Sequence, residues 1–270
     1  MNAWIVRFQE WLEGKVKLET LYRYSPHNTD YKDQVITHSK IWFSKPDNFN
    51  DPLDSRLDYR QMYSVEEIEA FWRGFLESRP DHPQSLDEVL QRWGSNQDFV
   101  EQQNRVFNQF RSQIGVCCFS ATPTNILMWS HYANNHKGIV YEFKPDLFLD
   151  SVSDGFTGHP MRVDYAEHNA YELLSYALTG KPKQDQFVTE QLTKAKDWEY
   201  EQEYRFIDLK QNGNKPFRKA SLKSVIFGAK IPPEEIDRFR ELCHQNGFGH
   251  VQFKQARFPQ GKFEIEIVDI

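Results

Sequence analysis

The segment Trp198-Glu199-Tyr200-Glu201-Gln202-Glu203-Tyr204-Arg205-Phe206 constrains the fold of this chain more than any other. Read as a strand, its period of two puts Trp198, Tyr200, Tyr204 and Phe206 on one face, and Glu199, Glu201, Glu203 and Arg205 on the other. The aromatic face requires a core to pack against. The acidic face requires compensation, because like charges stacked on one side of a sheet are destabilising unless cations, a metal or a ligand offset them. Either this is a solvent-facing side whose glutamates pair with arginine and lysine, or it is a site that uses them.

A core is available. The 270 residues are 39% hydrophobic and 15% aromatic, enough for one large domain carrying an insertion. A net charge of -6 argues against indiscriminate nucleic-acid binding. The basic cluster of Lys210, Lys215, Arg218, Lys219 and Lys223 surrounds the turn signal Asn212-Gly213-Asn214, and reads as a solvated hairpin tip before it reads as a binding patch. Adjacent Cys117 and Cys118, with Cys243 alone, form neither a disulfide framework nor a four-thiol zinc site, which suits a reducing cytoplasm. The opening Met1-Asn2-Ala3-Trp4-Ile5-Val6-Arg7-Phe8 lacks the pattern of a leader, and no later stretch is apolar enough to span a bilayer. The expectation is a cytoplasmic protein with no membrane partner.

Alternation and turn signals predict strands at 18–24 and 36–44, followed by a loop at Pro46-Asp47-Asn48-Phe49-Asn50-Asp51-Pro52. Ser64 with Glu67, and Ser85 with Glu88, are capping boxes, so 64–114 reads as a helical insertion in a single domain spanning 1–270. Strands return at 116–120, 139–143, 162–165, 200–209, 222–227, 251–257 and 263–268. Helices are expected over 125–133 and from Pro232-Pro233 to about Gly247. The fold class is α+β with a strand-dominated core.

Several chemistries are excluded. Gly247-Phe248-Gly249 does not continue as a dinucleotide loop, and no glycine-rich run ends in Gly-Lys-Ser/Thr. His131 and His136, five apart, are not the i, i+4 zinc pair, and Ser120 lacks the Gly-x-Ser-x-Gly elbow. Asp51 and Asp54 flank Pro52, where Asx turns and a carboxylate metal site are both open. Arg23, in Leu21-Tyr22-Arg23-Tyr24, shares a face with Leu21 and needs an anion if it is buried: either the 199–203 carboxylates or the pyrophosphate of a nucleotide.

Taken in order, Leu21-Tyr22-Arg23-Tyr24, Phe49-Asn50-Asp51-Pro52, Cys118-Phe119-Ser120, Met128-Trp129-Ser130-His131-Tyr132-Ala133, Trp198 with Glu201, Glu203, Tyr204 and Arg205, and Phe227-Gly228 resemble a mainly bacterial domain-of-unknown-function family, number 2971. The resemblance runs from about Leu21 to Gly228, interrupted by the helical insertion. The order of blocks is also similar to the ADP-ribosyltransferase superfamily, which implies a strand-rich core of that type, with NAD as substrate. By that resemblance Arg23 holds the pyrophosphate, Ser120 supports the nicotinamide ribose with Tyr132 as a second candidate, and Glu203 is the late glutamate. Glu201 orients or deprotonates an acceptor, and Tyr22, Tyr24 or Trp129 stack on the rings.

Breaking the nicotinamide–ribose bond builds positive charge on the sugar, which a carboxylate stabilises electrostatically. The leading expectation is an NAD-consuming transferase or glycohydrolase with an unidentified macromolecular or water acceptor, of the kind found among toxins and antiviral effectors. Two alternatives stand beside it: a metal-dependent hydrolase or nuclease using Asp51, Asp54, Glu201 and Glu203, and a non-catalytic sensing or adaptor module in which Trp129, Tyr132 and His131 are packing.

Overall fold

A computed structural model describes residues 18–26, 30–55, 63–167 and 191–270; the Met1–Phe8 segment considered above lies outside them. The bulky run Leu21-Tyr22-Arg23-Tyr24-Ser25 forms β1 (Leu21–Ser25). This strand sits inside an eight-stranded mixed sheet. On one side β1 pairs with β4 (Ile139–Phe143), followed by β10 (Leu222–Phe227), β11 (Gln252–Arg257) and β12 (Glu266–Asp269). On the other side come β3 (Gly115–Ser120), β8 (Glu203–Asp208) and the short β5 (Met161–Arg162). Only β10 and β11 run parallel within this sheet, and helix α6 (Pro233–Gln245) lies between them in sequence. Two further pairs complete the strands: β2 (Lys40–Phe43) with β9 (Gly213–Pro216), and β6 (Asp164–Ala166) with β7 (Thr193–Ala195).

The main core covers one sheet face, where Leu21, Phe119, Tyr141, Phe143, Phe206 and Phe227 cluster, with the Phe119 ring edge-to-face to those of Phe143 and Phe206. Val35 and Ile36 of α1 (Asp30–Thr37) and Phe239 of α6 pack into the same core. On the opposite face Trp129 and Ala133 bury against Val140 and Ile226, beside α5 (Ile126–Tyr132). Both predicted capping boxes form, at the starts of α2 (Val65–Glu77) and α3 (Leu86–Trp93), and α4 (Asn96–Arg111) follows. These helices hold a separate cluster around Phe71, Trp72 and Phe99.

Three sequence expectations are corrected. The stretch 36–44 is not one strand: Ile36 and Thr37 end α1, because burying Val35 and Ile36 in the main core overrides their local β preference. The Asn212-Gly213-Asn214 turn does not close a hairpin onto β8; β9 pairs with β2, and Lys215 is buried in an ion pair with Asp208 at 2.5 Å. The strand expected over 200–209 starts only at Glu203, after a 3-10 turn over Lys196–Glu201 and a left-handed Gln202 (φ 47°). That turn is fastened to the β3–α5 connection: Ser120 Oγ donates to the Glu201 carbonyl (2.6 Å), Ala121 N to that of Gln202 (3.0 Å) and Asn125 Nδ2 to that of Tyr200 (3.2 Å). Glu199 is consequently exposed, and Trp198 and Tyr200 leave the face of Tyr204 and Phe206.

One close approach fixes the end of β10 against the turn after α5. Asn134, Asn135 and His136 all have positive φ, and a Cβ on Gly228 would fall 2.2 Å from the His136 carbonyl oxygen. Gly228→Ala is therefore expected to cost about 2–3 kcal/mol, because only backbone can move to relieve the overlap. A urea-unfolding midpoint equal to that of the wild type would show that the turn yields freely.

Candidate functional site

Ladder register brings three predicted residues into one row. Tyr22 of β1 pairs with Ser120 of β3, and Ser120 with Glu203 of β8, so the three share a sheet face. A cleft of about 200 Å³ opens beside the row, and its lining includes Tyr22, Arg23, Tyr24, Tyr132, Glu201 and Glu203.

Buried charges line it. Arg205, fully enclosed, makes a double contact with Glu203 (Nε to Oε1 2.7 Å, Nη2 to Oε2 3.0 Å) and another with Asp54 (Nη1 to Oδ1 2.9 Å, Nη2 to Oδ2 2.6 Å). Its Nη1 also donates to the Gln191 carbonyl at 2.8 Å. Lys194 Nζ approaches Glu201 Oε2 (2.5 Å), Glu203 Oε2 (3.1 Å) and Asp54 Oδ2 (3.5 Å), and lies 5.1 Å from the centre of the Trp198 ring. Tyr132 donates its hydroxyl proton to Glu201 Oε1 (2.6 Å) and accepts from Asn50 Nδ2 (3.1 Å).

The two glutamates diverge in proton affinity. Burial acts to raise Glu203, but the Arg205 and Lys194 charges, with hydrogen bonds from Arg205 and the Cys118 thiol, pull it down to about 2. Burial raises Glu201, and the Lys194 charge only partly opposes this while the Glu203 charge adds to it, so its net shift is upward. Burial works against the Lys194 ammonium, yet Glu203, Glu201 and Asp54 together hold it well above the ordinary lysine range. Burial and the neighbouring Glu201 charge push the Tyr132 phenol up, so it stays protonated as a donor.

The other expected residues fare differently. Arg23 borders the cleft, but alternation places its side chain with Leu21 on the face opposite Glu203. Its Nη1 donates to Cys117 Sγ and to the Cys118 carbonyl, each at 3.1 Å, and its guanidinium lies over the Phe119 ring. Arg23 and Glu203 thus border one cleft from opposite sheet faces, and the Arg23 guanidinium also braces the β1–β3 seam. Trp129 cannot stack on a ligand ring: it is completely buried, edge-on to Tyr24, with Nε1 donating to the Pro123 carbonyl at 2.7 Å. Ser120 lies in the row, but its hydroxyl reaches the Glu201 and Thr122 carbonyls, so it fixes the backbone carrying Glu201. Asp51 makes an Asx turn to Leu53 N (2.8 Å). Asp54 does meet Glu201 and Glu203, but with Lys194 and Arg205 between them, and among the described residues no group of His, Cys, Asp and Glu is arranged to hold a metal.

The site can now be set against known proteins. A family model described as Protein of unknown function (DUF2971) matches residues 128–206. No curated protein and no solved structure matches the chain. The family resemblance read from Leu21 to Gly228 is thus supported over the matched span, which holds Tyr132, Lys194, Glu201, Glu203 and Arg205 and begins after Ser120. No described helix is long and apolar enough to cross a membrane.

Sequence reasoning missed Lys194, Asn50 and the thiol of Cys118. Lys194 sits in Thr193-Lys194-Ala195-Lys196, where nothing in spacing separates a buried lysine from its exposed neighbour. Asn50 lay in a recognised loop and in one block of the family resemblance, with no role assigned to it.

Proposed function

We propose that the protein cleaves the N-glycosidic bond of NAD, as a transferase or glycohydrolase on an ADP-ribosyltransferase-like core. The observation that carries this reading is the pair of buried glutamates lining a cleft with aromatic walls, one held ionised and the other with raised proton affinity. Two carboxylates whose environments drive them apart are what glycosidic cleavage requires. Glu203 supplies fixed negative charge to the ribosyl cation as nicotinamide departs. Glu201, hydrogen-bonded to Tyr132, accepts the proton of the attacking acceptor. The rings of Tyr22 and Tyr24, which border the cleft, offer stacking surfaces for the substrate. The adjacency of β1, β3 and β8, which carry the early, middle and late residues, agrees with the superfamily resemblance.

The direct test is nicotinamide release from NAD by the purified protein, with and without chelator. Release that survives chelation is the expected result. Absence of both release and NAD binding would overturn the proposal, and release abolished by chelator would move the chemistry to a metal, for which Lys194 leaves little room between the carboxylates.

A further inference from the structure

Arg205 and Lys194 divide the three carboxylates unequally. Arg205 makes double contacts with Asp54 and Glu203, leaving Glu201 without a guanidinium partner. Asp54, Glu201 and Glu203 outnumber the two buried cations, so the cluster carries one excess negative charge when every carboxyl is ionised. Glu201 and Glu203 meet at a single atom, the Lys194 ammonium, 2.5 and 3.1 Å away, and Trp198 covers that ammonium from the 3-10 turn. Such a cluster is costly to bury unless it is fully paired, and removing one cation leaves two carboxylates facing each other.

We infer that Lys194 is a positioning residue that lets Glu201 and Glu203 be ionised side by side, so that Glu203 remains an anion while Glu201 is free to take a proton from the acceptor. It touches neither substrate nor reacting atoms in this role and acts through the two carboxylates. Without its charge the two become a like-charge pair that binds one proton between them and titrates in two coupled steps. The anion that stabilises the ribosyl cation is then partly neutralised, and the base that receives the acceptor proton is partly occupied.

The consequence for turnover rests on the proposed NAD reaction, whereas the effect on the carboxyl groups does not, and the experiment separates the two. Carboxyl titration is followed by carbon-13 NMR on glutamate-labelled protein without substrate, with Glu203→Gln and Glu201→Gln used for assignment. In Lys194→Met the lower midpoint of the pair should rise by about one unit or more, the effect of losing an opposite charge at this distance. Lys194→Arg, which keeps the charge, should hold it near the wild-type position. Where burial of unpaired carboxylates keeps Lys194→Met from folding, Lys194→Met combined with Glu201→Gln removes one charge of each sign, and the Glu203 midpoint is compared with that of Glu201→Gln alone. A lower midpoint that stays in place on loss of Lys194, in the single or the double variant, overturns the inference whatever NAD does. In the pH profile of nicotinamide release, the acid limb should move up by the same amount in Lys194→Met and return in Lys194→Arg. A wild type that releases no nicotinamide would defeat the NAD reading while leaving the titration result standing.

Discussion

Glu203→Gln is expected to lower the kcat of nicotinamide release by about 10³-fold, with KM changed little. The replacement keeps shape and removes charge. Its effect falls on the transition state, where the ribose becomes cationic, and not on the neutral sugar of the bound substrate. The loss should not reflect unfolding, because Arg205 retains its double contact with Asp54 and Lys194 retains Glu201 and Asp54. Far-ultraviolet circular dichroism and a urea-unfolding midpoint would establish that the variant is folded. A folded Glu203→Gln protein with wild-type kcat would remove the glutamate from the chemistry.

The second large effect is on stability. Arg205→Met should cost about 3–5 kcal/mol, the range found when one member of a buried ion pair is removed and its partner stays charged. Asp54 and Glu203 are both almost fully enclosed, and Lys194, 3.5 Å from Asp54, cannot take the place of two bidentate contacts. Most of that cost belongs to the stranded carboxylates, so adding Asp54→Leu should recover part of it, and a double-mutant cycle would measure the coupling. A loss below about 1 kcal/mol in equilibrium unfolding would mean that water reaches the cluster and screens it as it does a surface pair.

Much of the fold was legible where local chemistry decides it. Both serine–glutamate boxes cap helices, Asn125 opens α5, and the apolar runs at 116–120, 139–143 and 222–227 are strands. Legibility failed where distant contacts override the local pattern. The alternation of 198–206 is a real feature of the residues, yet three bonds from the β3–α5 connection wind its first half into a 3-10 turn. The site divides in the same way. Tyr22, Arg23, Tyr24, Ser120, Tyr132, Glu201 and Glu203 all border one cleft, and Arg205 shares the face of Glu203. Arg23 shares a face with Leu21 and borders the same cleft as Glu203 from the opposite face, an arrangement the sequence could not disclose because facing depends on which strands become neighbours. The compensation that the acidic segment demanded comes from Arg205 within it and from Lys194 on a strand with no distinguishing pattern.

The row formed by Tyr22, Ser120 and Glu203 draws on strands from the first, middle and last parts of the sequence. A chain emerging from the ribosome presents its amino-terminal segments first. Until β8 has emerged, the tyrosine and serine lack the Glu203 carboxylate of their row, and Lys194 lacks one of the three partners that compensate its burial. On the proposed reaction, competence is therefore acquired late in synthesis, and a translation product that stops short of β8 lacks the carboxylate on which that reaction depends.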